Sequence, residues 1–157
     1  MEYGNIYETP LGKIIITENG EAITGLYFRE TLPEGVYSRE TPLIKRAHQE
    51  LQEYLAGKRQ SFDLPLSPQG TDFQKNVWQA LQDIPYGAVC SYKEIARAIG
   101  NEKACRAVGG ANNKNPISII IPCHRVIGAD GSLVGYGGGL ELKKQLLELE
   151  NELKNKV

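Results

Sequence analysis

Long apolar runs are missing from this chain. No stretch approaches the ~20 residues that a membrane-spanning helix needs, so no membrane association is expected. The opening MEYGNIYETP has no basic start followed by an apolar segment, which argues against a secretion signal. Cysteine is scarce, three in all, an odd number with no CxxC pair. That speaks against a disulfide framework and fits a reducing compartment, so a cytoplasmic location is expected. A strong net charge is missing too: the balance is −1, with 24% charged and 41% hydrophobic residues, ordinary for a globular protein. At 157 residues the chain can hold one good-sized core or two small domains.

The charge is unevenly spread. Residues 1–69 carry 7 Lys/Arg against 10 Asp/Glu, residues 70–157 carry 11 against 9. Within 93–125, Lys93, Arg97, Lys103, Arg106, Lys114 and Arg125 face only Glu94 and Glu102. Such a surplus can pair with phosphates, or form nothing more than a solvated helical face.

The first 30 residues read as antiparallel strands, with a hairpin around Asn19-Gly20. Residues 31–40 read as a loop. Thr41-Pro42 then resembles an N-cap followed by proline at the first helical position, and Gly57 a stop. Ile44, His48, Leu51 and Leu55 recur between them at helical spacing, which makes His48 structural. SFDLPLSPQG reads as a linker between two units.

The second unit reads as helical. TDFQ at 71–74 is a capping box, opening a helix with Phe73, Val77, Ala80, Leu81 and Ile84 apolar. SYKE at 91–94 is a second capping box. Its helix runs to Ile99, Gly100 ends it, and Asn101 is placed to cap a further helix to about Ala111. Helix, glycine-containing turn, helix is the spacing of a helix-turn-helix, although structural helix pairs look alike. The second helix, ACRAVGGANN, is almost all small residues with one long cation, Arg106. Gly109 and Gly110 each cost about 1 kcal/mol against alanine in a helix. Either a neighbouring helix packs close, or the helix is slim enough for a narrow groove.

IIIPCHRV at 119–126 sets Cys123 beside His124. Adjacent Cys and His rarely ligate one ion, and Cys90, Cys105 and His48 lack zinc-like spacing, so no metal is expected. A buried inert thiol is a serious reading. Yet PCHR reads as a polar segment leading into the glycine-rich loop GADGSLVGYGGG, where site residues gather. A thiol with pKa near 8.5 is only a few per cent thiolate at neutral pH, so a nucleophile needs a base. His124 is the candidate, directly or through a water. A carboxylate behind it would help. In GLELKKQLLELENELKNK the inward stripe is Leu142, Leu146, Leu149 and Leu153, with Glu150 at its edge. A surface ion pair of Glu150 with Lys143, Lys154 or another cation is the competing reading.

IPCHRVIGADGSLVGYGGGLELKKQLLELE, GAVCSYKEIARAIG and KACRAVGGANNKNP together resemble the O6-alkylguanine-DNA alkyltransferases, over roughly residues 70–150. The resemblance implies an α+β fold. A small N-terminal antiparallel sheet with a helix, ribonuclease-H-like, would span 1–69. A C-terminal helical winged helix-turn-helix domain, binding DNA and holding the alkyl acceptor, would span 70–157. The expected activity is single-turnover transfer of an alkyl group from O6-alkylguanine, with O4-alkylthymine a second candidate. The partner would be double-stranded DNA containing alkylated bases, the chain a monomer, and no cofactor is expected.

The same resemblance implies roles for residues. Cys123 would be the acceptor, His124 its base through a water, and Glu150 the carboxylate that orients His124. Asn115 would hold the turn before the active-site segment. Tyr92 would donate a proton to the leaving guanine and help rotate the nucleotide out. Arg106 would fill the vacated stack, with Ala107 and Gly109 on the helix in the minor groove. Ser91, Lys93 and Asn101 would contact phosphates, Thr71 more weakly. Val126, Tyr136 and Gly137 would wall the base pocket. Lesion-sensing relatives carry another residue at the acceptor position, so the cysteine here implies chemistry. No thiolate zinc site is expected in the first 89 residues, which hold no cysteine and one histidine.

Two rival readings remain at this stage. One is a cysteine hydrolase using Cys123, His124 and Glu150 on a small acyl substrate. The other is a helix-turn-helix regulator or lesion-binding module in which Cys123 is idle.

Overall fold

In the computed structural model the chain divides into two compact units, Met1–Gln69 and Gly70–Val157. Residues 1–132, 136 and 139–154 are described, with 153 and 154 as backbone alone.

In the first unit, β1 (Glu2–Thr9), β2 (Gly12–Glu18), β3 (Ile23–Tyr27) and β4 (Val36–Ser38) form one sheet in the order β3-β2-β1-β4. The expected hairpin holds, with β2 and β3 antiparallel across Asn19-Gly20. The sheet is not wholly antiparallel, however. Residues 31–40 are more than a loop: β4 pairs with β1 in parallel, Tyr3 opposite Tyr37. Three residues with two of them exposed carry no alternation for a sequence pattern to reveal. β2 lies inside the sheet, and Ile14, Ile15 and Ile16 are all fully buried, so its apolar residues run on instead of alternating.

Helix α1 (Pro42–Leu55) packs on β1 and β2. Its cap is as expected: the Thr41 hydroxyl accepts from Ile44 N at 3.2 Å. The same hydroxyl donates to the buried Glu18 carboxylate at 2.8 Å, tying the hairpin to the helix. Gly57, at φ 77, provides the left-handed exit. The buried face is Ile44, Ala47, Glu50, Leu51 and Tyr54, so Ile44 and Leu51 lie where expected while Ala47 and Tyr54 take the places of His48 and Leu55. His48 sits beside it, stacked on Tyr7 with ring centroids 3.6 Å apart.

In the second unit, α2 (Asp72–Gln82) and α3 (Tyr92–Ala98) both start at complete capping boxes, Thr71 with Gln74 and Ser91 with Glu94. Gly100, at φ 78, ends the α3 segment. Asn101 does not cap α4 (Cys105–Asn113). Ala104 holds that position without a side-chain bond, and the Asn101 carbonyl instead accepts from Ala104 N to close the turn. Trp78 on α2, 1% exposed, donates from Nε1 to the Ala111 carbonyl on α4 at 2.8 Å, which fixes the two helices together. β5 (Cys90–Ser91) pairs in parallel with β6 (Val126–Ile127), and α5 (Leu140–Lys154) closes the chain. Among the described residues no helix is long and apolar enough to cross a membrane.

Candidate active site and helix-turn-helix face

A strained turn delivers the thiol. Ile119 is β-branched, 1% exposed, and sits at φ 72, a region that costs such a residue of order 1–3 kcal/mol. Asn115 holds that turn from both sides. Its Nδ2 donates to the Ile121 carbonyl at 2.8 Å, and its Oδ1 accepts from Ile117 N at 3.0 Å. The chain then passes Pro122 into a 3₁₀ turn, Cys123–Arg125, and this segment, polar by its residue types, is buried.

His124 and Glu150 are 0% and 1% exposed, and His124 Nε2 stands 2.7 Å from Glu150 Oε2. With the Nε2 proton directed at the carboxylate, Nδ1 carries the lone pair. Nδ1 is buried and has no hydrogen-bond partner among the described residues. Burial pushes the His124 imidazolium down, and the bond to Glu150 works against that. Burial pushes the Cys123 thiol up to about 11, partly offset by the Asn115 amide and the Lys143 ammonium. Both shifts favour the neutral forms, thiol and imidazole.

The inward face of α5 is Lys143, Leu146 and Glu150, while Leu142 and Leu149 are only half-buried. Leu153 lies outside the described side chains. The helix turns its polar groups inward because the wall it meets is polar. Lys143 Nζ donates to the Val126 carbonyl at 2.5 Å, and Arg125 Nε donates to Glu150 Oε1 at 2.8 Å. Glu150 thus does pair with a cation, but a buried one. Arg125 is 7% exposed, so of the six cations counted toward phosphates this one is spent inside.

The parallel pairing of Cys90 with Val126 carries the start of α3 to the thiol turn. Tyr92, the first residue of α3, and Tyr136 both lie within electrostatic reach of Cys123. In each, burial pushes the phenol up and the cysteine adds to it, with Asn112 opposing in Tyr92 and Ser118 in Tyr136. Val126 is buried against the same turn; Gly137 lies outside the described residues.

The remaining expected residues lie along α3, α4 and the turn between them, or at the start of α2. Lys93, Asn101, Arg106, Ala107 and Gly110 are exposed, Ser91 and Gly109 half-buried, and Thr71 exposed at the start of α2. Close helix packing does not explain the glycines. A Cβ on Gly110 would meet nothing within 4 Å, and one on Gly109 only the Tyr92 ring at 3.8 Å. Sequence reasoning missed Arg125, Lys143 and Trp78 as parts of this frame. Arg125 and Lys143 look like surface cations in a sequence, and only their burial reveals them.

A buried thiol, next in the chain to an imidazole that a buried carboxylate holds, shares one compact unit with a helix-turn-helix. Two family models match the chain: 6-O-methylguanine DNA methyltransferase, ribonuclease-like domain, over residues 3–68, and the DNA binding domain of the same enzyme over 72–152. A methylated-DNA--protein-cysteine methyltransferase of Methanosarcina barkeri is 50% identical over 153 residues, covering 94% of this chain and 96% of that one. The constitutive enzyme of Bacillus subtilis is 48% identical, covering 96% of each. The crystal structure of Mycobacterium tuberculosis OGT in complex with DNA matches with TM-score 0.90 at 45% identity, covering 96% of this chain and 94% of that one. The chain belongs to the 6-O-methylguanine DNA methyltransferase family. Its activity is DNA repair by transfer of an alkyl group to a cysteine of the protein.

Proposed function

We propose that Cys123 is that cysteine and that residues 70–157 carry the whole reaction. The observation behind this is the His124–Glu150 contact at the residue that follows Cys123. His124 takes the thiol proton through a water onto Nδ1, and Glu150 stabilises the imidazolium that results. Sulfur then displaces guanine from the alkyl carbon: the S–C bond forms as the C–O bond breaks. Guanine leaves with a proton from Tyr92, which regains one from solvent. The product is a thioether, which water does not hydrolyse, so each molecule acts once.

The DNA-facing part of the proposal assigns α4 to the minor groove, ~6 Å wide, where the open flank at Ala107, Gly109 and Gly110 fits. Exposed Arg106 fills the stack left by the flipped nucleotide, at a cost of a few kcal/mol for flipping. Ser91, Lys93 and Asn101 meet phosphates, with Thr71 a weaker contact. Val126 and Tyr136 wall the base pocket, and Asn115 keeps the turn below it. A cytoplasmic location belongs to the same proposal, supported by three free thiols. The test separates chemistry from binding. Cys123→Ser and His124→Ala should keep the affinity for methylated duplex, measured by fluorescence anisotropy. Transfer should vanish in the first and fall by about 10²–10⁴-fold in the second. Parallel loss of affinity and transfer would overturn the assignment.

A further inference from the structure

Resting on the relay just proposed, a second layer can be read behind Glu150. Among the described residues each oxygen of that carboxylate meets at least two nitrogens. Oε1 accepts from Arg125 Nε at 2.8 Å and from Gly87 N at 3.1 Å. Oε2 accepts from Arg125 Nη2 at 3.0 Å and meets His124 Nε2 at 2.7 Å. The third nitrogen of the guanidinium, Nη1, donates to the Ile84 carbonyl at 2.7 Å, just past α2. Its plane lies by the Tyr86 ring, 5.7 Å to the centroid. A two-pronged guanidinium fixes a carboxylate's direction as well as its charge.

We propose that Arg125 is a positioning residue of the alkyl transfer, which by balancing the charge of Glu150 keeps His124 a neutral imidazole able to take the thiol's proton. The argument is one of buried charge. Glu150 and Arg125 together are neutral, so His124 gains little by arriving protonated. Without the guanidinium, the buried carboxylate loses the counter-charge that grips both of its oxygens, and His124 stays in contact with it. The imidazole would then rest protonated, its Nδ1 occupied before the thiol can use it. The groups around the pair are consistent with this. From α5 come Glu150 itself and the Lys143 ammonium, from the segment after α2 comes Tyr86, and from the turn itself Cys123. The buried face of α2, which also packs on the turn, is Val77, Trp78 and Leu81, apolar apart from the indole N–H. Arg125 and Lys143 both push the imidazolium down, and Glu150 alone pulls it up.

The test is the pH dependence of single-event transfer to methylated duplex in Arg125→Gln and Arg125→Lys. Arg125→Gln should move the acid limb up by about one pH unit or more, so that its deficit against the unaltered protein is largest at low pH and shrinks toward pH 9. Arg125→Lys, which keeps the charge but not the fork, should restore the limb and leave a smaller, pH-independent loss. Duplex affinity should be unchanged in both. A uniform loss at every pH, tracking a drop in melting temperature, would overturn the proposal, because a structural role predicts that and no more. Should Arg125→Gln fail to fold, ¹⁵N NMR of His124 in the unaltered protein decides. The neutral Nε2–H tautomer at pH 7 supports the proposal and an imidazolium refutes it. Failure of the unaltered protein to alkylate Cys123 would instead remove the relay reading itself.

Discussion

His124 Nε2 and Glu150 Oε2 lie 2.7 Å apart although 26 residues separate them in the chain. The contact exists because a strained turn presents the imidazole and because α5 faces the core with a carboxylate. Removing the charge while keeping the shape, Glu150→Gln, leaves Arg125 buried without its partner. Breaking a buried pair in this way costs about 3–5 kcal/mol. The melting temperature should therefore fall sharply, and transfer should slow beyond what the folded fraction explains. Equal transfer per folded molecule would show that the carboxylate only holds the fold.

Gly110 provides a prediction with opposite signs. A Cβ there meets open space, and alanine is better than glycine in a helix by about 1 kcal/mol. Gly110→Ala should thus raise the stability of the free protein by up to about that amount. Gly110→Leu should leave the fold intact and weaken duplex binding, because the added side chain needs room the minor groove lacks. Unchanged affinity in Gly110→Leu would place α4 elsewhere on the DNA.

Tyr92→Phe keeps the ring and removes the acid. It should slow transfer more than it weakens binding, as measured by rapid quench and by anisotropy. Equal losses in both would assign the phenol to recognition instead of proton donation.

The alkaline stability curve should show the buried thiol. An unfolded thiol loses its proton near 8.5, whereas the folded one holds it to about 11. The folded state then binds the extra proton, so the full stability is present below about 8.5 and falls as pH rises toward 11. This loss is of order 3 kcal/mol. Chemical denaturation of Cys123→Ala across that range should lack this component. A parallel offset between the two curves at every pH would contradict it.

What the sequence makes legible is the local chemistry. Thr41, Thr71 and Ser91 all cap as expected, because each cap needs only a side-chain oxygen and an amide three residues on. Glycine exits at Gly57 and Gly100 follow for the same reason. Burial of charge is not local. Arg125 looks like a surface cation until α5 folds over it, and Lys143 and Glu150 turn the inner face of α5 away from the leucine stripe. Nothing in IIIP announces Ile119 at φ 72, since that strain is imposed by Asn115 and the turn around it. β4 was hidden because a parallel partner of three residues leaves no periodicity.

Peptide mass after incubation with a duplex containing O6-methylguanine tests the central claim most directly. One methyl on the Cys123 peptide, never exceeding one equivalent per protein and absent in Cys123→Ala, is the predicted result. A methyl on Cys90 or Cys105, or repaired DNA in excess of protein, would contradict it.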